Sequence, residues 1–209
     1  MGPDDSDLEE FDRVVAARDP SMHDRVGPAI IAGRAPAAVV RRVALEDYHA
    51  ARWVAPELAL LVANAPDAYA FTIDHTRHYR HWAERFAGLT GFGDGTGELA
   101  RRLGRCREVG LSDDDVRAYE PIPETIATVF TLLYYLRRSY EEGVAALGYA
   151  GHCIGVAGGA PEATRRHAAE LLRLAGLSRP ARDRCGEAVR NVLLVAETRV
   201  RAMNRWLDA

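Results

Sequence analysis

Apolar residues recur at every third or fourth position through nearly the whole chain, and no segment alternates apolar and polar residues with β-branched enrichment. A chain patterned this way buries one stripe per helix and has no strands to pair. The spacing predicts helices over 8–18, 22–32, 36–63, 66–87, 96–108, 112–119, 122–150, 161–175 and 180–207. Pro161-Glu162 suits a first helical turn, Gly176 a position just past a helix end, and Ser112-x-x-Asp115 a variant capping box. Pro56 falls inside the third helix and is expected to kink or split it. Glycine clusters at 88–97 and 155–159 mark the clearest loops. At 209 residues, with no internal repeat, the expectation is one helical domain over 8–209 behind a disordered acidic N-terminus, 1–7.

Composition removes several function classes. A net charge of −3 argues against a general nucleic-acid binder. No apolar run approaches the length of a membrane span, and the acidic N-terminus lacks a signal-peptide core, so a cytoplasmic protein with no membrane partner is expected. All 27 basic residues are arginine. Without lysine there is no Schiff-base chemistry, no pyridoxal-phosphate anchor and no phosphate-loop lysine. Cys106, Cys153 and Cys185 form no Cys-x-x-Cys pair, which speaks against a structural zinc site or a disulfide framework.

The run Asp74-His75-Thr-Arg-His78-Tyr-Arg-His81 concentrates three of the seven histidines beside a carboxylate. On a helix, positions 74, 78 and 81 fall within about 60° of one another, so one face offers one oxygen and two nitrogen ligands. The apolar arc of that helix, Phe71, Tyr79, Trp82 and Phe86, centres on His75, with His78 at its inner edge and Asp74 and His81 on its flank. In the helix near 36–54, Asp47 falls inside the arc of Val39, Val40, Val43, Ala50 and Val54, with Glu46 at the edge and His49 further out. A carboxylate on such a stripe is paired, hydrogen-bonded or shifted in pKa, so Asp47 either belongs to a functional site or pairs with an arginine from another helix. His167 shares a face with Leu171 and Leu174, and Glu197 borders the stripe of Val189, Val192, Leu193, Val200 and Leu207, a position that suits a site and a surface salt bridge equally. Tyr134 and Tyr135 belong to the most apolar helix, where they either pack or supply a hydroxyl to a cavity. Cys153 follows His152, a pairing that suits a thiolate nucleophile when the fold brings the two together.

Several of these pieces together resemble the heme-oxygenase-like helical superfamily, in the branch of pyrroloquinoline-quinone-synthase-like and thiaminase-II-like proteins. The pieces are His23, Gly33-Arg-Ala-Pro, Val39-Val-Arg-Arg, Glu46-Asp47-Tyr48-His49, Ala63-Asn-Ala-Pro-Asp, Gly110-Leu-Ser-Asp-Asp-Asp, Pro121-Ile-Pro-Glu-Thr, Glu142-Gly-Val-Ala-Ala and Arg205-Trp-Leu-Asp. The resemblance implies a bundle of seven to nine helices around a central cavity, commonly a homodimer. Its di-metal oxidases place a carboxylate and a histidine with six residues between them, then a separate Glu, then His-x3-Asp-x2-His. Asp74-x6-His81 matches the first element; Tyr149 to His152 stand where the Glu belongs; Thr164 and Ala160 replace two ligands of an element placed on His167. The thiaminase-like members use an Asp, a cysteine and a late Glu, positions matched by Asp47, Cys153 and Glu197.

The resulting expectation is an all-α, oxygen-dependent oxidase or oxygenase of bacterial specialised metabolism, acting on a small polar metabolite. Asp74, His81 and His167 would hold non-heme iron, if any cofactor is used; Asp47, His78 and His152 would be catalytic; Tyr48, His49, Tyr134 and Glu197 would contact substrate. The alternatives are a thiaminase-like C–N hydrolase working through Cys153, and a non-catalytic metabolite-binding protein.

Overall fold

The computed structural model describes residues 5–63, 84, 87–90, 97–151, 161–174 and 177–209. Among them every regular element is helical, as the periodicity requires. The helices are α1 (Asp5–Arg18), α2 (Val26–Ile31), α3 (Ala37–Ala63), α4 (Glu98–Glu108), α5 (Asp113–Ala118), α6 (Pro123–Arg138), α7 (Tyr140–Ala150), α8 (Pro161–Leu174) and α9 (Arg179–Asn204), with 3-10 turns at Pro20–His23 and Arg205–Leu207. None of these helices is long and apolar enough to cross a membrane.

The periodic reading differs in several places: the helix expected over 22–32 is a 3-10 turn at Pro20–His23 and α2, parted by Asp24 and Arg25, and residues 88–90 of the loop expected over 88–97 are helical. Helix α1 begins at Asp5, so residues 5–7, expected to be disordered, belong to its first turns. Helix α3 runs unbroken through Pro56, which sits on the exposed side, where an unbonded carbonyl costs least. The single helix expected over 122–150 is two. Ser139 is extended (φ −153, ψ 157), and its side chain accepts the Glu142 amide hydrogen at 3.2 Å, capping α7. Arg137 and Arg138 end α6 while Glu141 and Glu142 open α7, so each helix dipole meets the favourable charge.

Helix α7 is the axis of the bundle. Tyr140 and every residue from Glu142 to Ala150 are buried, and α1, α6, α8 and α9 pack around it. A helix enclosed on all sides must be apolar all round, and close approach requires small residues. Gly143, Ala145, Ala146, Gly148 and Ala150 provide them. A Cβ on Gly148 would lie 2.2 Å from the Ala168 Cβ of α8, and one on Gly143 would lie 3.0 Å from the Leu136 Cα of α6. One charge enters this core: Glu142, 2% exposed, pairs with Arg184 of α9 at 3.0 Å and with Arg138 of α6 at 3.3 Å.

The segment just before α2 meets the C-terminal turn. Arg25 binds Asp208 through two hydrogen bonds (2.8 and 3.1 Å), and Asn204 accepts from the Arg25 amide and donates to the His23 carbonyl. Arg42 of α3 lies 4.6 Å over the Trp206 ring, joining this closure to α3.

Gly148→Ala is expected to destabilise the fold by about 1–3 kcal/mol through overpacking, and adding Ala168→Gly to recover part of the loss. Gly104→Ala, in α4 with open space around it, should instead stabilise by about 0.5–1 kcal/mol. Urea unfolding measures both. The Arg25 hydrogen bonds hold the Asp208 carboxyl below its ordinary value of 3.8. That stabilisation is present above 3.8 and lost as pH falls through the depressed value. The stability gap between wild type and Arg25→Ala should therefore be widest near neutral pH and close below 3.8, as read by denaturant unfolding across pH.

Candidate functional site

Four consecutive residues of α3, Glu46 to His49, point about 100° apart and meet four different surroundings. Asp47 shares its face with the residues three, four and seven positions on, Ala50, Ala51 and Val54, which are 1%, 0% and 0% exposed. It therefore points into the bundle, yet its side chain keeps 42% exposure. The carboxylate thus stands where this buried face meets solvent. Its Oδ1 accepts from Arg199 Nη2 at 2.8 Å. Arg199, on α9, is 5% exposed and donates from Nε to the Thr125 hydroxyl of α6 at 3.0 Å. Three helices thus converge on one guanidinium. The Asp47 carbonyl also accepts from Arg102 of α4 at 2.8 Å, which fixes the backbone under the carboxylate.

Glu46 is the more deeply buried acid, at 0% exposure, although the helical projection sets it at the edge of the arc. The linker from α5 to α6 covers it. Tyr119 donates a short hydrogen bond to Oε1, and the Ile122 amide donates to the same oxygen at 3.0 Å. Oε2 is buried with no hydrogen-bond partner. Burial first, and then the neighbouring Glu46, push the Tyr119 hydroxyl well above its ordinary pKa, so it stays a donor.

His49, placed further out by the projection, is also buried, at 4% exposure. Its Nε2 lies 2.8 Å from the Val116 carbonyl, which only accepts, so Nε2 carries the proton. The Tyr48, Trp53 and Tyr119 rings surround it at 5.3, 6.4 and 5.9 Å. Trp53, Tyr119, Pro121, Ile122 and Ile126 continue from His49 into an open outer groove of about 690 Å³. Tyr48 packs against Ala44, Leu45, Cys106 and Val116.

The remaining expected site residues do not gather here. Glu197 lies two residues before Arg199, about 200° round α9, and pairs with Arg201. Tyr134 is 54% exposed on the outer face of α6, in neither the core nor an interior cavity. Asp74, His75, His78, His81, His152 and Cys153 lie outside the described residues. His167 belongs to α8, which packs on α7, whereas α3 packs on α4 and α6. Among the described residues no group of three or more His, Cys, Asp or Glu side chains is arranged to hold a metal ion. Burial pushes the Cys185 thiol up to about 12 and raises that of Cys106, so neither is poised as a nucleophile.

Arg199 and Thr125 are absent from the residues inferred from sequence, which sets Glu46 only at the edge of the apolar arc. Glu46 had a local signal, its place beside Asp47; the other two come from helices more than 70 residues away in the chain. No protein-family model matches the chain, and a search of curated proteins finds no match.

Tyr119→Phe should cost about 1–3 kcal/mol by taking a donor from a buried carboxylate. Adding Glu46→Leu should recover part of that loss in a double-mutant cycle, measured by denaturant unfolding.

Proposed function

We propose that the protein is an oxygen-dependent oxidase or oxygenase that acts on a small polar metabolite held at Asp47. The observation that carries this reading is the inward-facing, water-accessible Asp47 held by the buried Arg199. Arg199 is fixed by Thr125 and keeps the carboxylate oriented. The second oxygen of Asp47 is left to accept a proton or a hydrogen bond from a substrate N–H or O–H. In the heme-oxygenase-like resemblance, Asp47 stands at the position of the Asp that the thiaminase-like members use.

The oxidative half of the proposal rests on the sequence. Asp74, His81 and His167 would hold non-heme iron, and the ion would supply oxygen activation when bound. Asp47 would act as general base or substrate anchor beside that chemistry.

Protein purified from iron-supplemented cells should carry iron, or take it up on anaerobic reconstitution, and His81→Ala should lose it. A stoichiometry near zero after reconstitution would remove iron from the scheme. Iron-loaded wild type should consume oxygen with the small-molecule fraction of a bacterial extract. Asp47→Asn, which retains an oxygen for Arg199, should keep its iron and helix content but slow uptake about a hundredfold or more. Unchanged uptake in that variant would rule out Asp47 as the working residue.

A further inference from the structure

The groove beside His49 opens on a different face of α3 from Asp47, about 200° round the helix. Arg52 and Trp53 follow His49 by three and four positions, so one helix face supplies an imidazole, a guanidinium and an indole. The α5–α6 linker contributes Tyr119 and Glu120 to the same groove, and α6 contributes Ile126. Its volume of about 690 Å³ falls in the range of small-molecule sites.

Three polar groups of this groove lack a partner among the described residues. His49 Nε2 is committed to the Val116 carbonyl, so Nδ1 carries no proton and can only accept, and no donor meets it. The ring is 4% exposed and packed among the Tyr48, Trp53 and Tyr119 rings, which makes Nδ1 a preset acceptor. An acceptor held in a nearly buried ring is costly to leave unmet, and a ligand donor removes that cost. Arg52 and Glu120, both exposed, have no hydrogen-bond or ionic partner among the described residues and do not pair with each other. A molecule complementary to all of these groups needs a flat apolar body, a ring donor, a carboxylate and an ammonium. An aromatic acid or an aromatic amine would answer only one of the two charges.

We infer that this groove binds a free aromatic α-amino acid whose ring carries an O–H or N–H, of the tyrosine or tryptophan type. The ring lies against Trp53 and Ile126, and its donor bonds to His49 Nδ1. The carboxylate meets Arg52 and the ammonium meets Glu120. The same residue inside a peptide lacks both charged groups and makes neither ion pair.

Calorimetric titration of the full chain tests this. L-Tyrosine or L-tryptophan should bind with a dissociation constant of about 1 mM or tighter. L-Phenylalanine, without a ring donor, should bind about tenfold or more weakly. Tyramine or tryptamine lacks the carboxylate, and the matching ring propionate lacks the ammonium; each should lose about threefold or more. Arg52→Ala should abolish the preference for the amino acid over the amine, and Glu120→Gln that over the propionate. Both side chains are exposed, so these variants keep the fold. His49→Phe keeps an aromatic ring in place and should bind L-phenylalanine as well as L-tyrosine. If that variant loses helix content, the Arg52 and Glu120 variants still decide the outcome. Failure of both L-tyrosine and L-tryptophan to bind at about 1 mM overturns the inference. So does wild type that binds L-phenylalanine equally well, or ligand preferences that Arg52→Ala and Glu120→Gln leave unchanged.

Discussion

The contact between α7 and α8 at Gly148 sets the spacing on which the bundle depends. The Ala168 methyl occupies the place where a side chain at position 148 would stand. With α8 pressed this close, and α6 nearly as close at Gly143, α7 has no room for solvent on any side. Its enclosure explains its composition and the severity with which it treats charge. Glu142 is admitted because two arginines from neighbouring helices meet it; an unpaired carboxylate at 2% exposure would cost several kcal/mol.

The same rule operates on α3, with a different outcome at each acid. Glu46 is sealed under the α5–α6 linker and receives two donors on one oxygen. Asp47, one residue on, faces inward but remains accessible, and its partner Arg199 is the buried member of the pair. The first arrangement closes the structure. The second leaves a carboxylate oxygen accessible to solvent beside a buried arginine. An arginine without lysine's compact, mobile head group suits this role, because its planar fork holds Thr125 and Asp47 simultaneously.

Much of this was legible in residue order. The helical starts at Ser112, Pro123 and Pro161 follow capping chemistry, and Asp47 does lie on the face of Ala50 and Val54. The break at Ser139 was also written there, as Arg-Arg-Ser-Tyr-Glu-Glu, a basic helix end followed by a capping residue and an acidic start. Apolar periodicity masked it, because both halves share the same repeat. Glu46 and His49 were misjudged for another reason. A projection around one helix finds a single buried stripe, whereas α3 is covered from several directions, by α4, α6 and the linker carrying Tyr119.

The sequence by itself determined that the chain is helical, where most helices begin and end, and which polar residues stand among apolar ones. Those are local properties, set by spacing, capping and side-chain chemistry within a few residues. Tertiary structure decided which of two adjacent carboxylates is sealed and which is open, and brought Arg199 and Thr125 to Asp47. It also gathered His49, Arg52 and Glu120 at one groove. These outcomes depend on which helix lies against which, and packing between segments far apart in the chain is not encoded in the period of any one of them.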